Sequence, residues 1–217
     1  MMVKIKKYVE KRKFEILLLS LLLLMFGIRP TFISPFFPIE IMIVGAIIFN
    51  NRRILLYLIA GLLIFTIALY ICSQIFYIKD INSHSLLVIA FIIYFVALTF
   101  EVIRRILVVD RVSLEIISAV LCGFIMLCFI GWFLFDMIET YTPDSFSGLG
   151  EDERKFNNLL YFSVTNLLTL GTGDILPITL LARKSVMLIG LVGHFYTVFV
   201  TAIIIGKFIN QTENKIK

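Results

Sequence analysis

The sequence predicts an all-α integral membrane protein with six transmembrane helices. Three observations lead to this fold class. First, 60% of the 217 residues are hydrophobic and 16% are charged, whereas soluble domains are about half apolar and about one quarter charged. Second, the mean hydropathy is +1.00, and the apolar residues are concentrated in long runs. Third, basic residues recur at alternate ends of these runs, as they do when a chain crosses a membrane repeatedly.

A helix needs about 20 residues to cross the hydrocarbon core of a bilayer, within a range of about 17–25. The last four apolar runs of this chain meet that requirement. The first two are shorter and are separated by Arg29, Pro30, Pro35 and Pro38, so they form either a hairpin of two crossings or one crossing with an interfacial segment. The runs fall at about residues 14–28, 36–50, 54–78, 86–103, 114–138 and 180–209.

The distribution of Lys and Arg predicts the orientation of these crossings. With the N-terminus in the cytoplasm, six crossings place the main basic clusters on the cytoplasmic side. A basic N-terminus could also bind nucleic acid, but the apolar run that begins at Phe14 favours a membrane flank. We therefore expect membrane lipids and no nucleic acid as partners, in the cell inner membrane or plasma membrane, multi-pass, with both termini cytoplasmic. The clusters are Lys4, Lys6, Lys7, Lys11, Arg12 and Lys13; Arg52 and Arg53; Arg104, Arg105 and Arg111; and Lys207, Lys215 and Lys217.

The fourth run does not have the composition of a voltage sensor. Sensors carry several Arg or Lys residues within the membrane, whereas residues 86–103 contain a single charge, Glu101. Arg104 and Arg105 follow the run, and the segment that contains them is predicted to be an amphipathic linker on the inner surface.

Acidic residues dominate the connections between the fifth and sixth runs. Such a set either raises the local concentration of cations at a channel mouth or belongs to an ordinary solvated loop, and both interpretations remain open. The residues are Asp136, Glu139, Asp144, Glu151, Asp152, Glu153 and Asp174.

A short amphipathic run at residues 156–168 leads into Thr169-Leu170-Gly171-Thr172-Gly173-Asp174. Glycine reaches backbone conformations that other residues avoid, so this segment can turn successive carbonyl groups towards one axis. Rings of backbone carbonyls replace the hydration shell of an ion in potassium channels. The alternative, that the two glycines merely end a helix, does not account for the surrounding sequence.

From Asp110 to about residue 210, half of the chain, the sequence resembles the pore module of the bacterial potassium-channel superfamily. The resemblance rests on Tyr161-Phe162-Ser163-Val164 in a short pore helix, on Thr-x-Gly-x-Gly-Asp at residues 169–174, on Pro177 and on a glycine-bearing last helix. It implies a re-entrant pore helix and filter between the last two crossings. Because one chain carries one such loop, it also implies a homotetramer.

The resemblance further implies the roles of individual residues. The backbone carbonyls of Thr169, Leu170, Gly171 and Thr172, with the Thr169 hydroxyl, would bind K⁺, while Gly173 and Asp174 would close the outer end of the filter. We expect no cofactor other than these K⁺ ions.

Two positions depart from the family pattern. Thr172 stands where relatives have an aromatic residue, which braces the filter against the pore helix. Thr165 stands where several relatives have an acid paired with the filter Asp, which leaves Tyr161 as a candidate partner of Asp174. These departures leave selectivity for K⁺ over Na⁺ open.

The last helix carries a candidate cavity face. Gly193 matches the hinge glycine of the family, and His194, Thr197 and Thr201 share one helical face by their spacing. Four copies of His194 would then surround the cavity below the filter and could change its charge near neutral pH. Alternatively, His194 is neutral and hydrogen-bonded to a neighbouring helix.

The expected organisation has four parts: a basic cytoplasmic N-terminus at 1–13, a four-helix transmembrane bundle at 14–109, the pore module at 110–210 and a short cytoplasmic tail at 211–217. The expected function is passive K⁺ conduction, with a weakly selective Na⁺/K⁺ channel as the first alternative. A subunit of a potassium-uptake transporter is a remote alternative, because such transporters carry four pore loops in one chain. We do not expect an enzyme, since His84 and His194 are the only histidines and no catalytic set of residues converges.

Overall fold

The computed structural model describes residues 12–26, 61, 64–65, 81–109, 112–150 and 152–216. The predicted runs at 36–50 and 54–78 lie outside these ranges, apart from isolated residues, as does most of the basic N-terminus. The described elements are α1 (Lys13–Met25), α2 (Ile81–Val108), α3 (Leu114–Tyr141), β1 (Phe146–Ser147), α4 (Asp152–Leu167), β2 (Leu176–Pro177) and α5 (Leu180–Ile216).

Two of the described helices are long and apolar enough to cross a membrane. They are Leu114–Tyr141, with a mean hydropathy of 2.5, and Leu180–Thr212, with a mean hydropathy of 2.2. These helices correspond to the fifth and sixth predicted runs. The structure is therefore mostly helical, with two candidate membrane spans among its described helices. The six crossings that the sequence predicts stay a prediction.

Helix α3 is the central element, because α1, α2, α4 and α5 all pack against it. On α1 the buried residues Phe14, Leu17, Leu21 and Leu24 recur at helical spacing and form one apolar face. The Cys122 thiol on α3 lies 3.4 Å from the carbonyl oxygen of Phe14 and donates to it. The first described helix is thus packed directly on the outer helix of the predicted pore module.

Helix α2 extends beyond the apolar run into the segment predicted to be an amphipathic linker. No Gly or Pro interrupts residues 81–108, so nothing in the sequence ends the helix at the boundary of the apolar run. Glu101 accepts hydrogen bonds from Arg104 at 2.9 and 3.1 Å and from Arg105 at 3.1 Å, which is the i,i+3 and i,i+4 pairing of a continuous helix. Residues 101–108 of the segment predicted to be an amphipathic linker are therefore the last turns of α2.

Helix α5 likewise runs to Ile216, through most of the predicted tail, because no Gly or Pro follows Gly206. Near this end, Lys207 Nζ donates to the carbonyl oxygens of Ile106 at 2.5 Å, of Leu107 at 2.9 Å and of Val109. Gln211, one turn further on, accepts a hydrogen bond from the Val112 amide at 3.0 Å. These contacts attach the end of α5 to the connection between α2 and α3.

Candidate functional site

Helix α4 lies between α3 and α5 and is held by polar contacts to the backbones of both. The Ser163 hydroxyl is fully buried and donates to the Cys128 carbonyl on α3 at 2.7 Å. Asn166 donates to the Val186 carbonyl on α5 at 3.1 Å. The approach to α3 depends on Gly131, because a Cβ at that position would overlap the Ser163 hydroxyl. The position of α4 is therefore fixed from two sides.

The C-terminus of α4 ends in a Schellman motif, in which two backbone bonds close the last turn. The Leu170 amide donates to the Thr165 carbonyl at 2.9 Å, and the Thr169 amide donates to the Asn166 carbonyl at 3.0 Å. Thr169 occupies the left-handed position, with φ of 57°, which is usually taken by glycine. A β-branched residue in this conformation stores strain of about 1–3 kcal/mol, and such strain is concentrated at functional sites.

The filter segment, residues 169–174, follows this motif with an alternating backbone. Thr169, Gly171 and Gly173 have φ of 57°, 58° and 77°, while Leu170 and Thr172 between them do not have positive φ. Alternation of left-handed with other conformations allows successive backbone dipoles to converge on one side of the chain. All six residues are exposed in the single chain, so their carbonyl groups are available to a ligand or a neighbouring subunit.

Asp174 ends this segment and receives a short hydrogen bond from within it. The Thr172 hydroxyl donates to Asp174 Oδ1 at 2.6 Å, and the Ile175 amide donates to the same oxygen at 3.1 Å. The hydrogen bond from Thr172 is the main reason that the pKa of Asp174 lies below its usual value, and a hydrogen bond with Tyr161 lowers the pKa further. Thr165 is buried, and its hydroxyl bonds to the Phe162 carbonyl of its own helix at 3.1 Å.

Glu139, one of the acidic residues predicted at the mouth, has a different environment. It is only 9% exposed, and its two carboxylate oxygens accept hydrogen bonds from the amides of Asp144 at 3.1 Å and Phe146 at 3.2 Å. These bonds hold the turn that follows α3. Glu139 therefore supports a loop, and the interpretation of this residue as part of an exposed acidic set is wrong.

The turn held by Glu139 opens the outer loop, residues 142–150, which includes β1. In the antiparallel pair of β1 and β2, Phe146 lies opposite Pro177 and Ser147 opposite Leu176. The Ile178 amide also donates to the Ser145 carbonyl at 2.8 Å. The outer loop is thus joined to the chain immediately after the filter segment.

The predicted cavity residues lie on the exposed side of α5. His194, Thr197 and Thr201 are exposed in the single chain, whereas Gly193 is buried. The helix is continuous through Gly193, where a Cβ would lie 2.9 Å from two carbon atoms of the Leu167 side chain. Gly193 therefore permits close packing of α5 against the end of α4.

Sequence reasoning missed several residues that position this site. Glu139 was assigned to the wrong environment, and the contacts of Ser163 and Asn166 were not predicted because each joins residues at least 20 positions apart. Gly131, within an apolar run, was an available signal for a close helix contact.

Residues 131–210 match a family model described as an ion channel. The matched region begins within α3 and contains the outer loop, α4, the filter segment and most of α5. No curated protein and no solved structure gives a significant match to the chain. The match supports an ion-channel domain in this region of the protein.

Proposed function

We propose that this protein is the subunit of a homotetrameric channel that conducts K⁺ passively through the filter segment. The match of residues 131–210 to an ion-channel family supports the general function. The observation that carries the finer proposal is the alternation of positive φ at Thr169, Gly171 and Gly173 directly after α4, a short helix packed against α3 and α5. This backbone suits a row of carbonyl oxygens that replaces the hydration shell of a cation.

In the proposed mechanism, the carbonyls of Thr169, Leu170, Gly171 and Thr172 bind dehydrated K⁺ in successive sites. The Thr169 hydroxyl donates its proton to the Leu168 carbonyl at 2.7 Å, which leaves its oxygen lone pairs for a further ion contact. The C-terminus of α4 adds a favourable electrostatic contribution, because the negative end of a helix dipole stabilises a nearby cation by about 0.3–2 kcal/mol.

The exposure of the filter segment and of α5 supports the proposed tetramer. A single chain cannot surround an ion, and an apolar face of α5 remains uncovered in one chain. This face includes Met187, Leu188, Leu191, Phe195 and Phe199, which are 55–72% exposed. Burial of such side chains against lipid or another subunit is expected in a membrane protein. We propose that four chains share the filter and that the remaining predicted crossings surround it, with both termini cytoplasmic.

A weakly selective Na⁺/K⁺ channel is the second candidate, and Thr172 is the observation that favours it. Its hydroxyl is bonded to Asp174 within the same segment, and the residue is too short to brace the segment against α4 as an aromatic side chain would. A filter with less support discriminates less between cations if selectivity depends on the spacing of its carbonyl groups.

The decisive experiment is cation flux in liposomes that contain the purified protein, followed by reversal potentials in mixed K⁺ and Na⁺. Gly171→Ala and Gly206→Ala form a matched pair, because neither added Cβ meets an atom within 4 Å and only Gly171 has positive φ. We expect K⁺ flux in wild type and in Gly206→Ala, and its loss in Gly171→Ala. No cation flux from an assembled wild-type protein would refute the channel, whereas equal permeability to K⁺ and Na⁺ would refute the selective channel and support the second candidate.

A further inference from the structure

The outer loop is anchored to α3 and α4, the two helices that it connects. At its first turn, Glu139 on α3 binds the amides of Asp144 and Phe146. Near its end, the Asn158 side chain on α4 donates to the Leu149 carbonyl at 2.7 Å. The loop is therefore held at two points by the helices that define the position of the site.

Between these two anchors, the loop meets the backbone of Asp174. Gly148 has φ of +82°, and a Cβ at this position would overlap the carbonyl oxygen of Asp174 and lie 3.4 Å from the Ile175 Cα. Only glycine permits this approach without displacement of one of the two backbones. The contact reaches the residue that directly follows Gly173, at the outer end of the filter segment.

The filter segment has little other support at this end. The hydrogen bond from Thr172 to Asp174 joins two residues of the same segment, so it shapes the segment but does not fix its position relative to the helices. A Cβ at Gly171 or Gly173 would meet no atom within 4 Å, so the chain's own packing leaves the side of the segment open. The pairing of β1 with β2, the hydrogen bond between Tyr161 on α4 and Asp174, and the approach of Gly148 to Asp174 tie its outer end to the rest of the described chain.

We propose that the outer loop braces the outer end of the filter and that Gly148 is a positioning residue for cation selectivity. This inference rests on the proposed function. The loop supports the filter segment through the contact of Gly148 with Asp174. An aromatic side chain at position 172 would support the segment by packing against α4. Displacement of the Asp174 carbonyl moves the adjacent Gly173, and with it the geometry of the outermost ion sites. Since selectivity depends on the number and arrangement of coordinating carbonyls, this displacement changes discrimination between K⁺ and Na⁺.

The test compares Gly148→Ala with Gly150→Ala in the full-length channel. Gly150 has a similar φ of +72°, but a Cβ there meets only the Asn158 side chain, at 3.8 Å. Both variants therefore carry similar backbone strain, and only the Cβ of Gly148→Ala meets Asp174. The measurements are the Na⁺-to-K⁺ permeability ratio from reversal potentials and the tetramer content from size-exclusion chromatography.

We expect Gly148→Ala to raise the Na⁺-to-K⁺ permeability ratio severalfold while Gly150→Ala retains the wild-type ratio. Asn158→Ala, which releases one anchor without touching the filter segment, should change the ratio in the same direction by a smaller factor, and it tests the inference if Gly148→Ala fails to assemble. A wild-type permeability ratio in assembled Gly148→Ala would refute the proposal that the outer loop supports the filter. If only Asn158→Ala assembles, a wild-type ratio in that variant would refute it. An equal change in Gly150→Ala would attribute the effect to strain and would also overturn it. If wild type itself conducts no cations, the proposed function fails instead, so the two failures are distinguishable.

Discussion

Replacement of Glu139 by Gln tests whether a buried carboxylate stabilises the outer loop. Glu139 accepts one hydrogen bond on each oxygen, from the amides of Asp144 and Phe146. Each hydrogen bond to a charged group contributes about 1.5–3 kcal/mol, and a neutral replacement contributes about 1 kcal/mol. Gln keeps one acceptor oxygen but turns its NH₂ group towards the second amide, so one bond is weakened and the other is lost.

One effect opposes this loss. Glu139 lies in the last turn of α3, where a negative charge is unfavourable by about 0.3–1 kcal/mol because of the helix dipole. The net destabilisation is therefore about 1–5 kcal/mol. At about 2–4 °C for each kcal/mol in a chain of this size, the thermal midpoint should fall by about 2–20 °C.

The assay is thermal unfolding of the purified protein in detergent, followed by the loss of assembled protein in size-exclusion chromatography. Glu115→Gln is the matched control, because Glu115 lies in the first turn of the same helix and its charge contributes only about 0.3–1 kcal/mol through the dipole. A fall in the midpoint for Glu139→Gln that does not exceed the fall for Glu115→Gln would refute the reasoning.

Three further outcomes are expected. Gly123→Ala places a Cβ on the Tyr196 hydroxyl and should lower the free energy of unfolding by about 1–3 kcal/mol. The double variant with Tyr196→Phe should recover part of this loss, and additive losses in thermal unfolding would contradict the contact. Thr172→Val removes the hydroxyl that lowers the pKa of Asp174, so Asp174 loses its charge at a higher pH. External acid should therefore reduce K⁺ current through the proposed channel at a higher pH than in wild type, and coincident acid profiles of the two proteins would contradict this role of Thr172. His194 is exposed on α5 and would line the proposed cavity, so His194→Arg, which places a permanent positive charge there, should lower single-channel K⁺ current relative to His194→Gln; equal currents in the two variants would place His194 outside the cavity.

The sequence predicts local features of this protein well, because they depend on residues close together in the chain. The apolar runs at 114–138 and 180–209 correspond to α3 and α5, and the short run at 156–168 corresponds to the end of α4. The glycine pattern likewise identifies the segment with positive φ, although Thr169 adopts that conformation too. Periodicity and turn chemistry are sufficient for these predictions.

The errors concern contacts between distant segments. Glu139 was grouped with the acids of the outer connections because its charge alone does not reveal that the amides of Asp144 and Phe146 donate hydrogen bonds to its carboxylate. The apolar run ends at residue 103, whereas α2 continues to Val108. The last turns of α2 carry polar side chains, and Glu101 pairs there with Arg104 and Arg105. The role of Gly148 depends on a neighbour 26 residues later in the chain, and no local pattern predicts that approach.

The contact of Lys207 with the end of α2 has a consequence for sequence variation. A lysine ammonium group has three donors, and Lys207 meets three backbone carbonyls, those of Ile106, Leu107 and Val109. Since the acceptors belong to the main chain, the side chains at these three positions can change without loss of the contact, provided that the helix end is preserved. Arginine, with its planar fork of donors, cannot reproduce the arrangement. We therefore expect relatives of this chain to retain a lysine at this position while the side chains at the three contacted positions vary.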